Sequence, residues 1–167
     1  MTRLYLMVGI PGSGKSTWIS NKVKELEPED FKVISRDGIR FAMLKPEDDY
    51  FKNENAVFAK FIKNINDCIA LKIPHVFIDA THISKASRTK VLNRLRECTS
   101  CALSVEVFFT SLPVCLARNS KRIGRAFVPS SAVTRMAEQF EPPVIDEFIK
   151  YNFAFVEINN HIDEGDW

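Results

Sequence analysis

Apolar residues recur along this chain with two different periods. Short runs rich in β-branched and aromatic residues occupy 3–8, 32–35, 75–79, 102–109 and 153–158 and read as strands. Between them, apolar positions return every three or four residues, the spacing of a helix with one hidden face. The clearest case is 50–71, where Val57, Phe58, Phe61, Ile62, Ile65, Cys68 and Ile69 share one stripe and are assigned to the core. A second helix is expected near 85–98, starting after Ser84 and burying Val91, Leu92 and Leu95. This alternation predicts an α/β fold, a parallel five-stranded sheet with helices on both faces. Loops are expected at Glu27-Pro28-Glu29-Asp30 and Lys45-Pro46-Glu47-Asp48-Asp49, and the tail 159–167 is expected to fray.

Directly after the first apolar run stands Gly9-Ile10-Pro11-Gly12-Ser13-Gly14-Lys15-Ser16, which meets the pattern G-x-x-x-x-G-K-[ST] at every fixed position. The pattern has a mechanism. Its glycines let successive backbone N–H groups turn toward a β-phosphate, the lysine reaches the β and γ oxygens, and the hydroxyl ligates Mg²⁺. The following helix aims its positive end at the same anion. Gly12, Ser13, Gly14, Lys15, Ser16 and Thr17 therefore read as a grip on a nucleoside triphosphate.

Composition narrows the setting. With 167 residues, 46% hydrophobic and 26% charged, the chain suits one domain spanning 1–167. It has no apolar stretch near the ~20 residues of a membrane span and opens directly on strand one, so a cytoplasmic protein is expected. Cys68, Cys98, Cys101 and Cys115 lack a second spaced pair and read as buried thiols in a reducing compartment. The net charge of +2 is unevenly spread: residues 81–135 hold ten Lys/Arg against two Asp/Glu, whereas 136–167 hold one against eight. The middle third is suited to meet anions, although a solvated helical face also accounts for Lys85, Lys90, Arg94 and Arg96.

In an open parallel sheet, ligands gather at the carboxyl ends of the strands. Strand two ends in Ser35-Arg36-Asp37-Gly38-Ile39-Arg40 and strand three in Asp79-Ala80-Thr81-His82. If a helix begins at strand two's end, Asp37 and Arg40 share a face; the carboxylate can take an acceptor proton while the guanidinium holds an acceptor phosphate. The alternative is a helix-capping Asp37 paired with Arg40. Asp79 reads as a Mg²⁺ or acceptor contact, or else as a turn former, and His82 as a base-stacking contact or a turn residue. Arg118, Arg122 and Arg125 share a face if their helix continues to Gly124, which suits a basic lid over about 118–130 that clamps a moving phosphoryl group. A surface helix end carrying cations is the plainer reading.

No Asp-x-x-Gly switch or Asn/Thr-Lys-x-Asp guanine motif occurs, and Asp79 is followed by Ala80 instead of a water-positioning Glu. A GTPase or motor is thereby disfavoured, and a phosphotransferase remains. Gly9 to Trp18, with Ser-Arg-Asp-Gly-Ile-Arg at 35–40, Phe-Ile-Asp-Ala-Thr-His at 77–82 and Arg-Asn-Ser-Lys-Arg at 118–122 before Val128-Pro129, resembles the phage-type polynucleotide 5′-hydroxyl kinases. The resemblance spans about 3–135. It implies an adenylate-kinase-like P-loop kinase that moves the γ-phosphate of ATP to the 5′-OH of DNA or RNA. It further implies Asp37 as general base, Arg40 on the acceptor's 3′-phosphate, Lys15 and Ser16 on ATP and Mg²⁺, and Arg118 and Arg122 as lid cations.

Two places depart from that family. His82 stands where the family has Asn, with Ala80 between Asp79 and Thr81, and the segment from Arg122 to Pro129 is slightly longer, which leaves Arg125 without a family role. The Asp-x-Asp-Gly-Thr motif of the bifunctional phage enzyme's 3′-phosphatase is missing, so a stand-alone kinase is expected. The rival reading is a small-molecule or nucleoside monophosphate kinase, which places similar residues near strand two.

Overall fold

In the computed structural model, which describes residues 1–164, strands β1 (Thr2–Val8), β2 (Phe31–Ser35), β3 (His75–Asp79), β4 (Cys101–Thr110) and β5 (Phe155–Asp163) form one parallel sheet in the order β2-β3-β1-β4-β5. Helices α1 (Lys15–Val23), α2 (Arg36–Met43), α3 (Glu54–Ala70), α4 (Lys85–Leu92), α5 (Leu112–Ser120), α6 (Ser130–Glu138) and the short α7 (Asp146–Ile149) complete it. The central strands read as nearly unbroken apolar runs because both of their faces are covered. Leu4, Leu6 and Val8 of β1 join Phe61 and Ile65 of α3, while Tyr5 and Met7 on the other face meet Ile19 and Trp18 of α1. Each fully buried aliphatic side chain contributes ~1.5–3 kcal/mol, so β1 is the spine that holds the P-loop in place. Among the described residues, no helix is long and apolar enough to cross a membrane.

Three elements differ from the sequence expectation, each for a local reason. The long helix starts at Glu54, not at 50, because Asn53 adopts a positive φ of 58° and leaves Tyr50 and Phe51 in a turn. The helix expected to reach 98 stops at Leu92. There the Asn66 side chain bonds Arg94 O and Arg96 N, occupying backbone groups that a further helical turn would need. The third difference corrects the frayed tail: residues 159–163 belong to β5, paired with β4 through Phe108↔His161 and Thr110↔Asp163. The buried Glu106 carboxylate anchors them, accepting from Asn159 Nδ2 at 3.1 Å and pairing with His161 Nε2 at 2.6 Å. The rest of that tail, 165–167, lies outside the described residues.

All four cysteines are free thiols; Cys68, Cys101 and Cys115 are buried as expected, whereas Cys98, on the turn into β4, is only half-buried. Part of the positive middle third is structural. Arg88, fully buried, makes a two-pronged pair with Glu147 of α7 at 2.9 Å on both prongs and donates to His82 O at 2.9 Å. It joins α4, α7 and the end of β3, leaving no guanidinium there for a ligand.

Candidate active site

The loop after β1 brings backbone and a lysine to one point. Gly12 has φ 82° and lies so close to α5 that a Cβ would come within 2.5 Å of Cys115 O, so only glycine fits. Lys15, on the first turn of α1, is buried and donates Nζ to Gly9 O at 2.8 Å and Ile10 O at 2.9 Å. Burial lowers its pKa to about 8, against the opposing pull of Asp79. Beside the loop lies a cavity of about 560 Å³, lined among others by Ser13, Thr17, Trp18, Arg118 and His161. Arg118 pairs with Asp163 at 2.8 Å and reaches Gly12 O at 3.4 Å. His161 stacks on Phe108 with centroids 4.7 Å apart and meets Trp18 at 5.4 Å. His161 and Asp163 escaped the sequence reading, since a polar tail carries no periodic signal until β4 pairs with it.

A second cavity, of about 660 Å³, opens at the ends of β2 and β3 and contains Asp37, Arg40, Asp79, Thr81 and His82. Ser35 caps α2, accepting from Gly38 N at 3.0 Å, so Asp37 is not the cap and its carboxylate stands free of the backbone. It accepts from Tyr50 Oη at 2.6 Å and from Arg40, which sits on the same helix face as the spacing predicts. Arg40 itself is buried. It donates to both Glu54 oxygens, at 3.0 and 2.8 Å, and to Tyr50 Oη at 2.7 Å, with its guanidinium 4.1 Å from the Tyr50 ring centroid. The outcome is a chain in which Arg40 donates to Tyr50 and Tyr50 donates to Asp37. Burial, then the hydrogen bond to Asp37, raises the Tyr50 phenol well above its ordinary pKa, so it stays a donor. Arg36 also binds Glu54. Burial opposes ionisation of Glu54, yet Arg40 and Arg36 hold its carboxyl below the usual range. Tyr50, Glu54 and Arg36 are site residues that sequence reasoning missed; only the fold brings the 45–54 segment against α2.

The remaining expected residues divide. Asp79 is half-buried, and burial raises its pKa against the pull of Lys15. Thr81 accepts Gly9 N through its backbone oxygen at 2.9 Å, tying the end of β3 to the P-loop. His82 takes the turn role of its two alternatives: its φ is 44°, its ring is buried against Phe61, and Nδ1 bonds Met7 O at 2.8 Å. Burial lowers its pKa to about 4, so the imidazole is neutral and offers no exposed face to a base. The lid also departs from its spacing. α5 ends at Ser120, and Gly124, with φ 59°, turns the chain, so the three arginines do not share a helical face. Arg118 faces the P-loop cavity and Arg122 lines both cavities. Arg125, expected beside the nucleotide, instead crosses the second cavity to Leu44 O at 3.1 Å, its guanidinium 4.7 Å from the Phe41 centroid.

Ser16 lines the P-loop cavity and Asp79 the adjoining one, and both are hard oxygen donors. Such a sparse set fits Mg²⁺, which keeps several waters and takes its other ligands from phosphates.

No curated protein matches the sequence at a significant level. Among solved structures, the chain is similar to one in the Pnkp1/Rnl/Hen1 RNA repair complex, at 22% identity and a TM-score of 0.70 over 83% of this chain and 43% of that one. It is also similar to a sugar kinase from a Janibacter species, at 16% identity and TM-score 0.62 over 96% and 86% of the two chains. A fungal RNA kinase aligns at 12% identity and TM-score 0.60, over 99% and 76%. The chain spans about two fifths of the RNA repair chains it matches. At these identities the likeness shows the fold. A family model described as an AAA domain matches residues 4–143, a stretch holding the P-loop, both strand-end carboxylates and the lid, and the chain belongs to that family with the fold of a P-loop kinase.

Proposed function

We propose that this protein is an ATP-dependent polynucleotide 5′-hydroxyl kinase. It transfers the γ-phosphate of ATP, or of another nucleoside triphosphate, to the 5′-OH end of DNA or RNA. Lys15 and Arg122 line both cavities, and this continuity carries the reading: a phosphate held by the P-loop would lie beside the cavity that contains Asp37. The exposed aromatic rim of that cavity, Tyr50, Phe51 and Phe127, suits unstacked bases, and the positive middle third suits a polyanion. The likeness to RNA repair and RNA kinase structures supports the same acceptor class.

In this mechanism Asp37 accepts the proton of the 5′-hydroxyl as its oxygen attacks the γ-phosphorus and the bond to the β-phosphate oxygen breaks. Lys15 and Arg122 neutralise charge on the phosphoryl oxygens during transfer. Tyr50 and Arg40 hold the carboxylate in place. Mg²⁺ bound by Ser16, with Asp79 nearby, would add charge neutralisation at the phosphates. Arg40, already bound to Glu54, positions Asp37 and is a poor candidate for the acceptor-phosphate contact implied by family resemblance.

A small-molecule kinase is the second reading, favoured by the sugar kinase likeness over most of both chains. Incubation with γ-labelled ATP, Mg²⁺ and 5′-OH RNA, 5′-OH DNA, a nucleoside monophosphate and gluconate separates the two. Label in an oligonucleotide is the expected result; label only in a small acceptor refutes the proposal.

A further inference from the structure

Beyond the rim of the second cavity, three cations surround one phenyl ring. Phe58 of α3 is buried, and around its centroid stand Arg36 Cζ at 5.1 Å, Lys90 Nζ at 4.4 Å and Arg94 Cζ at 5.8 Å. Cation–π attraction keeps like charges close that would otherwise separate. Arg36 belongs to the acceptor cavity and is paired with Glu54, whereas Lys90 and Arg94 are exposed and make no ion pair among the described residues. Arg36 and Arg94 are therefore no more than about 11 Å apart, within about three nucleotide steps of ~3.4 Å. Arg36 reaches the Phe58 ring from the acceptor cavity, while Lys90 reaches it from α4 and Arg94 from the turn after α4. Two exposed, uncompensated cations this close to one ring attract anions.

We propose that Lys90 and Arg94 form a track for backbone phosphates downstream of the 5′ end, so that one nucleic-acid strand leaves the acceptor cavity past Arg36 and along the α3–α4 junction. The track rests on the polynucleotide reading and extends it: the enzyme reads several phosphates of a strand beyond the reacting nucleotide. Such contacts act on affinity for long acceptors and leave the chemistry at Asp37 untouched.

The full chain carrying Lys90→Ala with Arg94→Ala tests this against a control with Lys85→Ala and Arg96→Ala, which removes equal charge from outside this cluster. Binding of a fluorescent twelve-nucleotide single strand is followed by anisotropy over a salt series, and kinetics are run with 5′-OH acceptors of two and twelve nucleotides. The expected result is about tenfold weaker binding of the long strand, with a salt dependence shallower by about 1.4 in log–log slope, from two lost phosphate contacts. KM for the long acceptor rises correspondingly, and the dinucleotide's KM and kcat stay put. Loss on both lengths, loss on neither, or an equal loss in the control overturns the track. If the unaltered protein phosphorylates only a small molecule yet binds the strand through these two residues, the kinase reading falls while the track stands. If it binds no strand, the track falls whatever acceptor it uses.

Discussion

The two cavities are built in opposite ways. On the P-loop side, the proposed phosphate cradle comes from one stretch, Gly9 to Thr17, and would act through backbone N–H groups and a single lysine. The proposed acceptor side draws side chains from β2 and α2, the 45–54 segment, the end of β3 and the lid, and its Asp37 carboxylate is held by a relay of Arg40, Tyr50 and Glu54. A cradle made of main chain is specified by where glycines let the chain turn, so it survives changes around it. A cavity made of side-chain pairs depends on each partner's charge and reach. The donor half should therefore tolerate damage to the acceptor half, and the reverse should not hold, because every acceptor needs the same phosphoryl group.

That asymmetry can be broken most forcefully at Lys15. Lys15→Ala is expected to lower transfer about 10³-fold with every acceptor, measured as kcat/KM, because the phosphoryl oxygens lose a preorganised cation. Asp37→Asn should lower kcat about 10²-fold while ATP affinity, measured by calorimetry, stays within about twofold; a parallel loss of ATP binding would erase the proposed division between halves.

Acidity offers a third handle. Because burial lowers the Lys15 pKa to about 8, the free protein loses the ammonium as pH rises through that value, and kcat/KM for ATP should fall toward tenfold per pH unit above it. At saturating ATP the bound phosphates favour the charged form, so kcat should break at higher pH. The linked stability has the opposite sign. An unfolded Lys15 keeps its proton to about 10.5, so between about 8 and 10.5 the unfolded chain binds more protons and stability rises with pH. Lys15→Met should abolish that rise in urea titrations. The smallest effect is expected at Tyr50→Phe, which removes one hydrogen bond to Asp37 and should cost about fivefold in kcat, with ATP KM unchanged. Loss of ATP affinity in that variant would show the halves to be coupled.

How much of this was legible depended on how far apart in sequence the partners lie. β1, β3 and β4 announce themselves because burial on both faces makes their composition nearly pure apolar. The P-loop is readable residue by residue, and the three-residue spacing of Asp37 and Arg40 places them on one helix face before any fold is known. Tyr50 and Glu54 have no such signal. They reach Arg40 across a turn whose shape depends on the positive φ of Asn53, and the 45–54 stretch reads only as a polar loop and the start of a helix. The lid shows the opposite error: a regular arginine spacing was informative only as long as the helix continued, and it ends before Arg122. His161 and Asp163 complete the P-loop cavity from a tail whose order comes from pairing with β4 and from the buried Glu106.

The amino-acid sequence by itself determined the sheet's central strands, the phosphate cradle and the presence of a carboxylate at the mouth of strand two, because each rests on residues that are neighbours along the chain or along one helix. Only the tertiary structure decided that Arg40 binds Glu54 as well as Asp37, that Arg125 crosses the second cavity, and that Arg88 is consumed by Glu147. A charged side chain becomes a ligand group or a strut according to whether folding brings an acceptor within reach, Glu54 for Arg40, Leu44 O for Arg125 and Glu147 for Arg88, and those acceptors lie too far away in sequence for any local pattern to pair them.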